Sequence, residues 1–113
     1  MKLKLKMPQE PDHEHLAMLI NYAVAAELRS TLNFAGVSES DVWPIVENAV
    51  SSIACVFDQG TFEVNGKIYR PRVAFVDQSG NFLPGAESYG HLHDYAAIRE
   101  DELEPSDEFS ISV

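Results

Sequence analysis

The stretch from residue 12 to residue 36 constrains the fold of this chain more than any other segment. Its apolar residues recur at the i, i+3, i+4 and i+7 positions that share one face of an α-helix, namely Leu16, Leu19, Ile20 and Ala23. Asp12 is suited to cap the first turn, and Gly36 is suited to end the helix beyond Phe34. Another element could approach closely at the small residues Ala17, Ala23, Ala25 and Ala26. We therefore predict a helix here, covered by a sheet or by a second copy of the chain.

A second amphipathic helix is predicted from Ser40 onward, because Asp41 favours the positive end of the helix dipole and Pro44 falls near the first turn. Its apolar stripe consists of Val42, Ile45, Val46, Ala49, Val50 and Ile53. From Ile53 to Phe57, β-branched and aromatic residues become frequent. The pattern predicts that the chain changes from helix to sheet in this stretch.

The dipeptide Asn65-Gly66 gives the clearest signal for β-structure, because it supplies the positive φ angles of a two-residue type I′ turn. It predicts a hairpin in which Val64 pairs with Lys67 and Phe62 pairs with Tyr69. Pro71 has no N–H, so we expect an edge or a bulge there. Further strands are expected at 73–76 and 82–85, separated by a turn at 78–81.

A short helix from Tyr95 to about Leu103 and a strand from Phe109 to Val113 complete the expected elements, and the lysine-leucine start is a second possible edge strand. The sequence thus predicts an α+β fold, with two N-terminal helices packed on a mostly antiparallel sheet of about four to five strands and a short C-terminal helix. The length of 113 residues is that of a single domain over 1–113, with an acidic C-terminal segment over 100–113.

Electrostatics provides our leading functional hypothesis. The chain has 18 acidic and 8 basic residues, a net charge of -10, which disfavours direct contact with nucleic acid or anionic membranes. Acids are concentrated near the C-terminus at Glu100, Asp101, Glu102 and Glu104. We expect a non-enzymatic protein-binding module of the inhibitor, immunity or adaptor type, in which these residues contact a protein with a basic surface.

A metal site is the first alternative, because all four histidines occur in two His-x-His pairs. His91 and His93 share a face if their loop is extended, and a neighbouring carboxylate such as Asp94 or Glu87 would complete a divalent-metal site. Asp94 is equally suited to cap the following helix. His13 and His15 are weaker candidates, because the first helical turn would place them on different sides.

Two further binding sites are considered. Lys67, Arg70 and Arg72 form a candidate site for an anion or an acidic partner, unless Glu63 pairs with them across the hairpin. The wide apolar surface of the first helix is compatible with a homodimer that holds a small ligand in its interior or at its seam.

Catalytic residues are not identifiable in this sequence. The single cysteine, Cys55, lies in an apolar run, and neither a nucleophile elbow nor a phosphate-binding loop occurs. Enzymatic activity stays open but is disfavoured, and no cofactor is expected apart from the alternative metal. The longest apolar stretch, Leu16 to Leu28, is too short to cross a bilayer, and no export signal is visible, so we expect a cytoplasmic protein.

Overall fold

The computed structural model describes residues 2–3, 10–83, 92 and 109–110 of the chain. Within these residues the elements are β1 (Lys2–Leu3), α1 (His13–Phe34), α2 (Glu39–Gln59), β2 (Phe62–Val64), β3 (Lys67–Tyr69) and β4 (Phe109–Ser110). The two helices pack against each other. The strands form two separate antiparallel pairs, β1 with β4 and β2 with β3.

Helix α1 begins and ends as the sequence predicts. Asp12 is the N-cap, and its Oδ1 accepts a hydrogen bond of 3.0 Å from the N–H of His15. At the other end, Gly36 adopts a φ of 85°, a conformation that side chains with a Cβ rarely adopt, and its N–H donates to the carbonyl oxygen of Asn33. The caps are local features, so the sequence alone defines them.

The buried face of α1 is not the predicted apolar stripe but lies on another side of the helix. Its fully buried residues are Ala17, Asn21, Tyr22, Ala25 and Ala26, whereas Leu16, Leu19, Ile20 and Ala23 are only half-buried. The small alanines allow the close approach that we expected, and within the described residues the element that covers them is α2 instead of a sheet.

Helix α2 extends further than the sequence predicts, and the expected change to sheet at 53–57 is wrong. The helix continues to Gln59, and Gly60 donates its N–H to the carbonyl oxygen of Val56. Its buried residues recur every four positions as Val42, Val46, Val50 and Ala54, and they form one core with α1. Burying Ala54 on this row keeps the segment helical, because tertiary packing outweighs the weak β-preference of its neighbours.

The predicted sheet of four to five strands is also wrong. The β2–β3 hairpin forms in the expected register, with Phe62 opposite Tyr69 and Val64 opposite Lys67. Between Pro71 and Leu83, however, the β-structure is limited to an isolated bridge between Val76 and Phe82. The described core lies between the two helices, so within the described residues they pack on each other and not on a sheet.

The chain ends are paired in part. Lys2 lies opposite Ser110 and Leu3 lies opposite Phe109, so the two segments that were expected as edge strands pair with each other. The predicted helix from Tyr95 to Leu103 lies outside the described residues. In the part of the chain that the structure describes, no helix combines the length and the hydropathy needed to cross a bilayer.

Candidate functional site

The β2–β3 hairpin is an exposed element that follows directly from α2. Its turn residues Asn65 and Gly66 adopt φ angles of 52° and 77°, as a type I′ turn requires. The short loop fixes the register, so Phe62, Val64, Lys67 and Tyr69 share one face, whereas Glu63 and Ile68 lie on the other.

Both faces of this hairpin expose large apolar side chains. The exposed fraction is 53% for Phe62, 53% for Val64, 62% for Ile68 and 54% for Tyr69. A sheet that packs one face on a core normally has a polar opposite face. Here each face carries a large apolar side chain that stays more than half exposed to the rest of the described chain.

The backbone of the hairpin offers unpaired edges. In a hairpin with a two-residue turn, the residues flanking the turn exchange both hydrogen bonds, and the next pair along points its N–H and C=O groups outward. The outward pair is Glu63 and Ile68. Among the described strands, β2 and β3 pair only with each other, so the groups of Ile68 face outward at the free edge of β3.

Three cationic side chains lie in β3 or just after it. Lys67, Arg70 and Arg72 are all exposed, and Nη1 of Arg72 donates a hydrogen bond of 2.7 Å to the carbonyl oxygen of Pro71. Among the described residues, Glu63 and Arg70 form no ion pair with each other, although the register places Arg70 diagonally across from Glu63. The anion or acidic-partner site at these three cations stays a prediction.

A second feature anchors residue 92 between the helices. Leu92 is 5% exposed and belongs to the core formed by α1 and α2. Its N–H donates to Oδ1 of Asp58 at 3.1 Å, and its carbonyl oxygen accepts from Nδ2 of Asn21 at 2.8 Å. The sequence analysis missed this anchor. Its one signal was Asn21, a polar residue on the apolar face of a helix, which must find a partner when buried.

The described residues include only one of the two His-x-His pairs that were considered as metal ligands. His91, His93, Asp94 and Glu87 lie outside the described residues, as do Glu100, Asp101, Glu102 and Glu104. Among the residues that the structure describes, no group of three or more His, Cys, Asp or Glu side chains is arranged to hold a metal ion. The metal site at His91 and His93 therefore stays a prediction.

The first pair occupies the start of α1 and points in two directions, as predicted. The ring of His13 contacts the ring of Phe75 edge to face, with centroids 5.2 Å apart. Nδ1 of His15 lies 2.6 Å from Oδ1 of Asp12. The hydrogen bond from the N–H of His15, and then the contact with its ring, hold the pKa of Asp12 below its ordinary value.

A surface cleft lies between the start of α1 and the loop at 76–83. It is lined by Glu10, Pro11, Leu16, Val76, Asp77, Gln78 and Leu83, and its volume is about 500 Å³. That volume lies within the range of small-ligand sites. The homodimer hypothesis, which places a ligand in the interior or at the seam, stays a prediction.

Comparison of the chain with protein-family models, with curated protein sequences and with solved structures finds no match. The functional argument therefore rests on the described surface itself.

Proposed function

We propose that this chain is a protein-binding module whose contact element is the β2–β3 hairpin, and that it acts by occupying a partner. The observation that carries the proposal is the exposure of Phe62, Val64, Ile68 and Tyr69 on both faces of the hairpin. An isolated two-stranded hairpin is marginally stable in water, and clustered exposed apolar side chains typically mark interaction surfaces. A partner that covers this element would also stabilise it.

The energetics of apolar contact indicates what else the partner must supply. Full burial of a large apolar side chain contributes roughly 1.5–3 kcal/mol. These side chains are already about half covered, so covering all of them would contribute roughly 3–6 kcal/mol. Association costs about 4 kcal/mol or more. Apolar burial on the hairpin barely offsets that cost, so hydrogen bonds or charge contacts must contribute to binding.

The acidic C-terminal segment is our second proposed contact. Glu100, Asp101, Glu102 and Glu104 would attract a partner with a basic surface, and the net charge of -10 supports this choice. We place the interaction in the cytoplasm, where the single cysteine, Cys55, would stay reduced.

Site-specific photo-cross-linking tests the role of the hairpin. A photoreactive phenylalanine analogue replaces Tyr69 in one variant and Phe34 in a control, because Phe34 is 95% exposed at the far end of α1. We expect the analogue at position 69 to cross-link a partner protein in cells, and the analogue at position 34 to give no such product. Absence of any protein product from position 69 would refute the proposed function.

Binding to the purified partner then measures the contribution of the apolar side chains. The combined change Phe62→Ser and Tyr69→Ser should weaken affinity about tenfold or more, whereas Phe34→Ser should change it less than about twofold. Equal affinities would exclude the hairpin as the contact element. Changing Glu100, Asp101, Glu102 and Glu104 to Lys tests the acidic segment, since a contact there predicts weaker binding with less sensitivity to salt.

A further inference from the structure

We propose that the free edge of β3 accepts an extended segment of a partner protein as a third strand, and that this segment alternates apolar with acidic residues. The inference rests on the proposed function and names the chemistry of the partner at the same hairpin. Main-chain hydrogen bonds along an exposed strand edge provide affinity, and the neighbouring side chains provide specificity.

The backbone geometry of β3 is suited to such an addition. The pairing of Val64 with Lys67 next to the turn directs the N–H and C=O groups of Ile68 away from β2. The side chain of Ile68 is 62% exposed, so the described part of the chain does not cover this edge. The edge begins at the turn after Val64, and the imino nitrogen of Pro71 limits it at the other end.

The cationic side chains near β3 favour the β3 edge over the β2 edge as the binding site. They also favour an acidic segment as the added strand. A strand added beside β3 would lie about 4.8 Å from it, within reach of the Lys67 and Arg70 side chains. The β2 edge offers only one charged side chain, Glu63. Residues 61–72 carry three cations and one carboxylate, a net charge of +2, so the remaining chain carries -12. The hairpin is thus a cationic element on an acidic protein.

The same charges disfavour a second copy of the hairpin as the occupant. Symmetric pairing of two β3 edges would place Lys67, Arg70 and Arg72 of both copies on one four-stranded sheet. Like charges on neighbouring strands destabilise pairing. A partner segment with alternating valine and glutamate, in contrast, would place its carboxylates on the face of Lys67 and its apolar side chains on the face of Ile68.

Two synthetic peptides of about seven residues with blocked ends test the charge preference. One alternates valine with glutamate, and the other alternates valine with lysine. Titrated into the isotope-labelled full chain, the glutamate peptide should shift the amide resonances of Ile68 and its neighbours. It should also bind about tenfold or more tightly than the lysine peptide. Equal binding of the two peptides, or no saturable binding of the glutamate peptide below about 1 mM, would overturn the proposal.

A matched pair of proline variants tests the edge itself. Ile68→Pro removes the outward N–H of β3, whereas Glu63→Pro removes the outward N–H of β2, and neither removes a hydrogen bond of the hairpin. Cross-strand contacts between Phe62 and Tyr69 verify that each variant keeps the hairpin. Ile68→Pro should weaken binding of the glutamate peptide about tenfold, and Glu63→Pro should change it less than about threefold. Equal effects would overturn the addition of a strand at β3.

These outcomes separate the two proposals. If a partner protein cross-links from position 69 and Ile68→Pro leaves its affinity unchanged, strand addition is wrong and the hairpin remains a contact element. If light scattering shows a dimer that Ile68→Pro dissolves, the occupant is a second copy, and the acidic-partner inference is overturned.

Discussion

Nδ2 of Asn21 donates a hydrogen bond of 2.8 Å to the carbonyl oxygen of Leu92, which joins the middle of α1 to a residue 71 positions later in the chain. Asn21 is the buried polar residue of the described core, and Leu92 inserts beside it between the two helices. Because a buried amide without a partner is unfavourable, this bond helps to hold Leu92 in place against α1.

Replacing Asn21 tests that relationship. Asn21→Ala leaves the carbonyl oxygen of Leu92 without its donor, so we expect the free energy of unfolding to fall by about 1–3 kcal/mol. Asn33→Ala is the matched control, because Asn33 is exposed on the same helix, and it should change stability by less than about 0.5 kcal/mol. Urea unfolding followed by circular dichroism measures both. Equal losses would contradict a stabilising role for the bond.

Asp58 and Asn21 should act on stability as a coupled pair. Both side chains hold the peptide groups of one residue, since Leu92 donates its N–H to Asp58 and accepts from Asn21. Once either bond is lost, residue 92 is held less firmly and the second bond contributes less. A double-mutant cycle of Asn21→Ala and Asp58→Ala should therefore give a coupling energy of about 0.5 kcal/mol or more. Simple additivity would show that the two bonds act independently.

The turn of the hairpin provides a local test. Gly66 has a φ of 77°, and a β-branched residue there is strained by roughly 1–2 kcal/mol. Gly66→Val should open β2 and β3 to fast amide exchange while the amides of α1 and α2 stay protected, because neither hairpin face packs on the helices. Thr61→Val, at an exposed position before β2, should leave the exchange rates of the hairpin amides close to those of the parent protein. Loss of helix protection in Gly66→Val would mean that the helices depend on the hairpin.

The N-terminal cap of α1 should depend on pH. The hydrogen bond from His15 lowers the pKa of Asp12, so folding favours the charged carboxylate. A lowered pKa stabilises the fold above the unfolded-state value, and that contribution is lost as pH falls below about 4. The protection of amides at the start of α1, measured as their exchange rate relative to that of the unfolded chain at the same pH, should therefore fall in this range.

Two substitutions separate the cap from other acids in the first turn. Asp12→Asn keeps a side-chain oxygen that accepts the hydrogen bond from His15, but this side chain does not titrate. In this variant, the amides at the start of α1 should keep their protection as pH falls. Glu14→Gln removes a different acid of the first turn, and this variant should still lose protection at low pH. If Asp12→Asn keeps the acid dependence, another group is responsible for it.

Features that depend on neighbouring residues were predictable from the sequence alone. The cap at Asp12, the stop at Gly36 and the turn at Asn65-Gly66 are specified by the backbone preferences of those residues. The turn length then sets the register of the hairpin, which the structure confirms. The sequence also shows the apolar residues of both hairpin strands. It predicts, however, that these residues belong to a sheet packed on the helices.

Only the tertiary structure decided the remaining features, because each depends on residues that are distant in sequence. Ile53 to Phe57 favour a strand locally, yet burial of Ala54 against α1 keeps them in α2. Leu92 lies between the helices because Asn21 and Asp58 supply its hydrogen bonds, and no local pattern around residue 92 encodes those partners. Local sequence determines where helices and turns begin and end, whereas the burial of one face on another selects which apolar residues form the core and which stay exposed.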